Sequence, residues 1–265
     1  MDLKQLDAEL ARYVRPATYP LAIRMLASEA EIDPRARRPR RDLGIQVTIC
    51  QAIGMARRYG WSLAITPEDI NCPLIFVPFG FKAPVPFQTE GFACAGIYTE
   101  TPEAGARTEA VAPRLPQGQY CGIALAPLSR ASFTPHVICV YGNSAQVMRL
   151  VQGALWRHGG ALESISAGRI DCAEIIIRTL LSGRPQYILP CSGDRIFGLT
   201  EDDEMIFAMP LSWADDVVAG LQGTHQAGIR YPVPKFMRFQ PQYPEAYEQL
   251  RAALAAQDAA ESASD

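Results

Sequence analysis

The alternation of apolar and polar positions divides the chain into short elements. Leu3, Leu6, Leu10 and Val14 recur at helical spacing and place an amphipathic helix in residues 1–17, ended by Pro16. Tyr19-Pro20-Leu21-Ala22-Ile23-Arg24-Met25-Leu26 is a strand-length apolar run. Val47, Cys50, Ile53 and Met55 return to the helical period, with Gly60 as the C-terminal cap. Strands around Ser62 to Ile65 and Leu74 to Val77 are expected on either side of the turn Thr66-Pro67-Glu68-Asp69. Residues 79–116, rich in Gly, Pro, Thr and Glu, read as an excursion that either closes over the fold as a lid or crosses its surface.

The second half is more regular. Gly122 to Pro127 and His136 to Tyr141 are compact apolar runs, and the second leads through Gly142-Asn143-Ser144 into a helix carrying Val147, Leu150, Val151, Ala154 and Leu155. Asn143 or Ser144 can cap that helix, whose start is also a place for an anion. The absence of a glycine-rich phosphate fingerprint favours simple capping, and no nucleotide motif is present. A helix from Cys172 to Leu181, a strand from Gln186 to Leu189, apolar segments at Arg195 to Leu199 and Met205 to Met209, and a helix from Pro210 to Leu221 follow. A last helix over residues 243–256 and a disordered tail over 257–265 are expected. The fold class is α/β or α+β: a mixed sheet with flanking helices in one globular domain over residues 18–242.

Composition narrows the function. Of 265 residues, 48% are hydrophobic and 20% charged, enough for a substantial core without disulfides. Twenty-five Lys and Arg against 28 Asp and Glu leave a net charge of -3, which disfavours a general nucleic-acid partner. No apolar run is long enough to span a bilayer, and no apolar signal segment opens the chain. A reducing, cytoplasmic location is expected, so the seven cysteines are packing residues, ligands or reactive thiols.

Two cysteine-bearing segments are built alike. Cys50 opens a helix that passes through Gly60 to a strand and Cys72; Cys172 opens another that passes through Gly183 to a strand and Cys191. Each is followed by a glycine-bearing apolar stretch, Phe79-Gly80-Phe81 and Phe197-Gly198-Leu199, the pattern of a pseudo-repeated helix-strand unit. Together the segments supply four thiols, the donor set of a [4Fe-4S] cluster or, less favoured, a zinc site. Cysteines at helix starts have their thiolates favoured by the helix dipole. No Cys-x-x-Cys pair is present, so tertiary structure alone must assemble such a site, and small buried hydrophobes are the plain alternative. Cys139, inside an apolar strand, reads as core; Cys94 and Cys121 read as packing residues near Gly and Ala.

Other chemistry is thinner. His136, His158 and His225 are too few for a multi-histidine site; the last two read as partners of helix C-termini, and His136 as a residue that can reach a cleft. Glu201-Asp202-Asp203-Glu204 reads as a solvated turn, because adjacent side chains diverge. The arginines from Arg35 to Arg41, broken by Pro39, read as a solvated loop able to hold an anion.

At several of these residues the chain resembles the bacterial and archaeal family catalogued as domain of unknown function 169. The resemblance rests on the Cys50 helix with Gly60 and Cys72, Pro135-His136-Val137-Ile138-Cys139-Val140-Tyr141-Gly142-Asn143 with Gln146, Cys172, Cys191-Ser192-Gly193-Asp194-Arg195, Asp203-Glu204-Met205 and Pro210. It spans most of residues 18–235, with His136 standing where the pattern has an acidic residue. The resemblance implies a soluble α/β fold and carries no catalytic assignment.

Three functions are thus open. The first is a cysteine-ligated metal site at Cys50, Cys72, Cys172 and Cys191, iron–sulfur in character, supporting redox or non-redox chemistry on a small molecule. The second is a metal-free enzyme with Cys191 or Cys172 as nucleophile and Arg195 as anion clamp. The third is a small-molecule binding module with structural cysteines.

Overall fold

In the computed structural model, which describes residues 1–233, 237 and 240–262, helices line both faces of one sheet. The elements run α1 (Leu3–Tyr13), β1 (Leu21–Leu26), α2 (Ile49–Tyr59), β2 (Leu63–Ile65), α3 (Pro86–Thr89), α4 (Pro102–Val111), β3 (Gly122–Pro127), β4 (Val137–Asn143) and α5 (Ser144–Leu155). They continue with α6 (Asp171–Ala173), α7 (Thr179–Ser182), β5 (Gln186–Ile188), α8 (Ser192–Phe197), β6 (Glu204–Pro210), α9 (Ala214–Gln226) and α10 (Glu245–Ser262). One π-helical stretch, Glu174–Arg178, joins α6 to α7.

Local chemistry sets the element ends. Reciprocal capping boxes start three helices: Asp2 with Gln5, Thr48 with Gln51, and Asn143 with Gln146. Gly60 and Gly183 close their helices in the left-handed region, at φ of 71° and 62°, where a Cβ is unfavourable.

The six strands lie in the order β2-β3-β1-β4-β6-β5. Alternation along the strands separates two cores. Leu21, Ile23 and Met25 on β1, Val137, Cys139 and Tyr141 on β4, and Ile206 and Ala208 on β6 face α2 and the α6–α7 segment. Ala22, Ile138, Val140, Phe207 and Met209 face the other way, toward α1, α5 and α9. Each fully buried large aliphatic or aromatic side chain stabilises the fold by about 1.5–3 kcal/mol, so both faces are well supplied. The two edge strands are three residues each, which leaves little unpaired backbone.

The interleaving of helices and strands is as expected, but the sheet is not mixed: every strand pairing in it is antiparallel. The helices do not cross over between neighbouring parallel strands; β1 and β4 each lie antiparallel to both neighbours, and β3 reaches β4 through a short turn at Leu128–Arg130. Residues 74–77 form no strand. Pro73 has no N–H for a ladder and opens a 3-10 turn, Pro73–Ile75, that buries Ile75 without pairing. Arg195 to Phe197 lie in α8, whose short helix follows the cap at Cys191.

The two cysteine-bearing segments share local order: helix, left-handed glycine, edge strand, then a cysteine heading a short helical turn. Their continuations differ, since β2 reaches β3 through the long excursion with α3 and α4, whereas β5 reaches β6 through α8 alone, so a duplication is not established. The excursion is anchored at both ends by Phe79 and Leu115, buried in the α2-side core. Helix α10 continues through residues expected to be tail as far as Ser262; residues 263–265 lie outside the described residues. Among the described residues no helix is long and apolar enough to cross a membrane.

Candidate metal centre

Cys50 lies in the first turn of α2, and Cys72 caps the Pro73–Ile75 turn beyond the edge strand β2. Cys172 lies in α6 and Cys191 caps α8. The structure brings these chain-distant segments together on the α2 side of the sheet. The Cys50 thiol lies within 4.8 Å of the Cys172 thiol and acts electrostatically on the thiols of both Cys172 and Cys191. Ligand atoms of Cys50, Asp171 and Cys172 all lie within 4.8 Å of one another. Cys72 stands beside this trio, half-buried, and interacts electrostatically with Cys172 and Cys191.

Close packing of two backbones makes this meeting possible. A Cβ at Gly54 on α2 would lie 2.7 Å from the carbonyl oxygen of Gly198, just past α8. Gly54→Ala is therefore expected to force the Cys50 and Cys191 helices apart, costing about 1–3 kcal/mol. Urea unfolding together with the metal content of the variant checks this: an unchanged midpoint and unchanged metal content would show that the close approach is dispensable.

Asp171 clamps the two later cysteines. Its Oδ1 accepts from the Cys172 backbone N–H at 2.8 Å and from the Cys191 thiol at 3.0 Å, and its Oδ2 accepts from the Cys191 N–H at 3.2 Å. The π-helical stretch begins two residues after Cys172, a widening seen most often at functional positions. Buried Glu174 in that stretch accepts from Ala167 N–H at 2.6 Å and Ser166 Oγ at 3.2 Å, fixing the loop that leads into the site.

The thiols and carboxylates of the site are all held toward their neutral forms. The interaction with Cys172, in which Cys50 keeps the proton, and then burial hold the Cys50 thiol well above its ordinary value. The interaction with Cys50 favours ionisation of Cys172, but burial pushes it up to about 11. Cys191 is raised by the interaction with Cys50 and by burial, and Cys72 by burial. Burial raises both Asp171 and Asp194 above the usual carboxylate range, and the charge of Asp194 raises Asp171 further. Thiols are held neutral here; a bound metal ion reverses that balance by deprotonating them.

Behind the cysteines runs a buried polar network. Asp194 accepts from Tyr141 Oη at 3.1 Å and Thr200 Oγ1 at 2.8 Å. Thr200 accepts from Arg57 at 3.0 Å, and Arg57 makes a forked pair with Glu204 at 2.7 and 2.9 Å while lying over the Tyr141 ring at 4.0 Å. Arg57 also lines the floor of a surface cleft of about 690 Å³, together with Arg15, Thr18, Tyr19 and Arg58. Glu204 is thus not part of a solvated turn: it is 8% exposed and paired, while Glu201, Asp202 and Asp203 are exposed.

The other expected site residues disperse. Arg195 donates to the Glu201 carbonyl at 2.7 Å and lies near Asp202, with no contact to the Cys191 thiol. Cys139 is fully buried in the core, Cys94 is buried with its thiol donating to Glu109 at 3.4 Å, and Cys121 is half-buried. Arg38 bonds Asp69 and Thr66, Arg35 bonds Asp33, and Arg41 bonds Asp42, so much of the arginine cluster is internally paired. His136 accepts the Met25 N–H rather than facing a cleft, and His158 joins Arg157 on Asp216. Asp171, Asp194 and Arg57 were not singled out from sequence. The available signal was adjacency: Asp171 precedes Cys172, and Asp194 lies within Cys191-Ser192-Gly193-Asp194-Arg195.

The chain is similar to the uncharacterized protein MJ0308 of Methanocaldococcus jannaschii, 26% identical over 184 residues that make up 67% of this chain and 77% of that protein. No solved structure matches it significantly. The DUF169 family, described as Uncharacterised ArCR, COG2043, matches residues 9–220, a span that contains Cys50, Cys72, Cys172 and Cys191 with Asp171, Asp194, Arg57 and Glu204. The chain therefore belongs to the DUF169 family.

Proposed function

We propose that Cys50, Cys72, Cys172 and Cys191 hold an iron–sulfur centre that supports chemistry on a small molecule in a reducing, cytoplasmic setting. The observation that carries this reading is the approach of Cys50 to Cys172 and Cys191, thiols from distant segments, with half-buried Cys72 coupled electrostatically to Cys172 and Cys191. Four thiolates are the donor set of a [4Fe-4S] cluster. Two full apolar cores already support the sheet, so a metal here is a working centre rather than the staple that a small domain needs. All seven cysteines are free, in keeping with a reducing compartment.

A single zinc ion is the second reading, favoured by the compactness of Cys50, Asp171 and Cys172 within 4.8 Å. The metal-free nucleophile is less well supported. Reactive thiols are exposed and have lowered pKa values, whereas Cys172 and Cys191 are buried and raised, and Arg195 is engaged elsewhere. Anaerobic purification decides among them. Iron with acid-labile sulfide and broad visible absorption is expected; zinc without iron selects the single-ion site, and a colourless protein without either metal overturns the proposal.

A further inference from the structure

Arg169 ends the loop that enters α6 and is 2% exposed. Its Nη1 pairs with Glu109, a carboxylate that is itself buried and also meets Gln88, Cys94 and Arg114. Its Nε and Nη2 have no hydrogen-bond partner, although both are buried. Among the described residues, Arg57, Arg58, Arg114, Arg149 and Arg178 each leave one buried nitrogen, Nε, without a hydrogen-bond partner; Arg169 leaves two buried N–H groups that together form one edge of the guanidinium. An unsatisfied buried donor costs about 1–3 kcal/mol, so an entire empty edge calls for an acceptor.

The surroundings define that acceptor. The guanidinium carbon lies 5.9 Å from the centre of the Tyr98 ring, and the charge of Arg169 acts on both Tyr98 and the Cys72 thiol. Tyr98 and Cys72 are both half-buried, so this side lies nearer the surface than buried Cys50, Cys172 and Cys191. Two arginines, Arg114 and Arg169, share one glutamate, Glu109, leaving one net positive charge. Two parallel N–H groups and a single uncompensated charge suit a monoanionic carboxylate, bound fork to fork, better than a dianionic phosphate.

We infer that the Nε and Nη2 edge of Arg169, whose guanidinium lies near Tyr98, is the anchor for a small carboxylate ligand. The ligand's carboxylate is held on the excursion side of the cysteine site, which puts the remainder of the molecule next to the proposed centre. The anchor adjoins that centre but does not require it to be filled, so the two fail separately.

The test is calorimetric titration of the full chain with acetate and propionate, and with inorganic phosphate for comparison, both as purified anaerobically and after chelation. Saturable carboxylate binding is expected in both preparations with a dissociation constant of about 1 mM or tighter, exceeding phosphate binding. Arg169→Lys keeps the charge but loses the fork, and is expected to weaken carboxylate binding about tenfold or more. If that variant does not fold, the Nε–H resonance of Arg169 in the wild-type protein serves instead and is expected to shift on adding carboxylate. Absence of saturable binding, equal binding by the variant, tighter binding of phosphate, or an unmoved Nε–H resonance overturns the inference.

Discussion

Replacing Arg57 with methionine is expected to destabilise the protein by about 3 kcal/mol, because it leaves the buried Glu204 carboxylate with only the longer contact to Arg58 at 3.7 Å. The Arg57 side chain is 0% and that of Glu204 9% exposed, so water cannot take over the lost interaction. The same change strips Thr200 and the Tyr141 ring of a partner and loosens the support of Asp194. A fall in Tm of roughly 10 °C is the corresponding signal in a chain of this size. Adding Glu204→Gln to Arg57→Met is expected to recover a large part of the loss, since the poorly compensated charge is then removed and Glu201 N–H keeps an acceptor. A single variant as stable as wild type would mean that the pair contributes nothing to the fold. The pair also predicts an acid limb. Burial works to raise Glu204, but the bonds from Arg57 prevail and hold it below its ordinary value of 4.5. Its contribution is therefore complete above that value and disappears as pH falls through the lower folded-state value. Arg57→Met should flatten this part of the stability profile.

Cys50→Ser is expected to abolish metal binding while leaving the fold in place. Cys50 interacts with both Cys172 and Cys191, so a hydroxyl there removes the thiolate at the middle of the donor set. The hydroxyl retains neighbours with which to hydrogen-bond, and the stability loss should stay near about 1 kcal/mol. Metal affinity should fall by more than the roughly 100-fold that loss of an outer partner can cost. Cys121→Ser, at a half-buried cysteine beside the end of β1, is the control and should retain metal in full. Equal metal content in Cys50→Ser and Cys121→Ser would dissociate the metal from this site.

Much of the fold is legible in the chain because its elements obey local rules. Alternation along β1, β4 and β6 announces strands covered on both faces, and Asn143 with Gln146 announces the start of α5. Strand direction is not local: nothing in His136 to Tyr141 says that its neighbours run antiparallel, so the sequence does not distinguish an antiparallel sheet from a mixed one. Residues 74–77 look like a strand in composition, and Pro73 is what makes them a turn. The four cysteines were visible as a pattern of spacing around Gly60 and Gly183. Their partners were not, because Asp171, Arg57 and Arg169 are ionisable residues that composition assigns to the surface and only tertiary structure buries. Arg195, beside Cys191 in sequence, turned out to face the Glu201 carbonyl, whereas Asp194 next to it faces inward to Tyr141 and Thr200.

The most direct measurement is X-ray absorption at the metal edge of the anaerobically purified full chain, compared with the Cys50→Ser variant. Iron surrounded by sulfur in the wild-type protein, and lost from the variant, is the result that the proposed four-cysteine centre predicts. Metal bound through oxygen and nitrogen alone, or an unchanged sulfur shell in the variant, would contradict a centre held by Cys50, Cys72, Cys172 and Cys191.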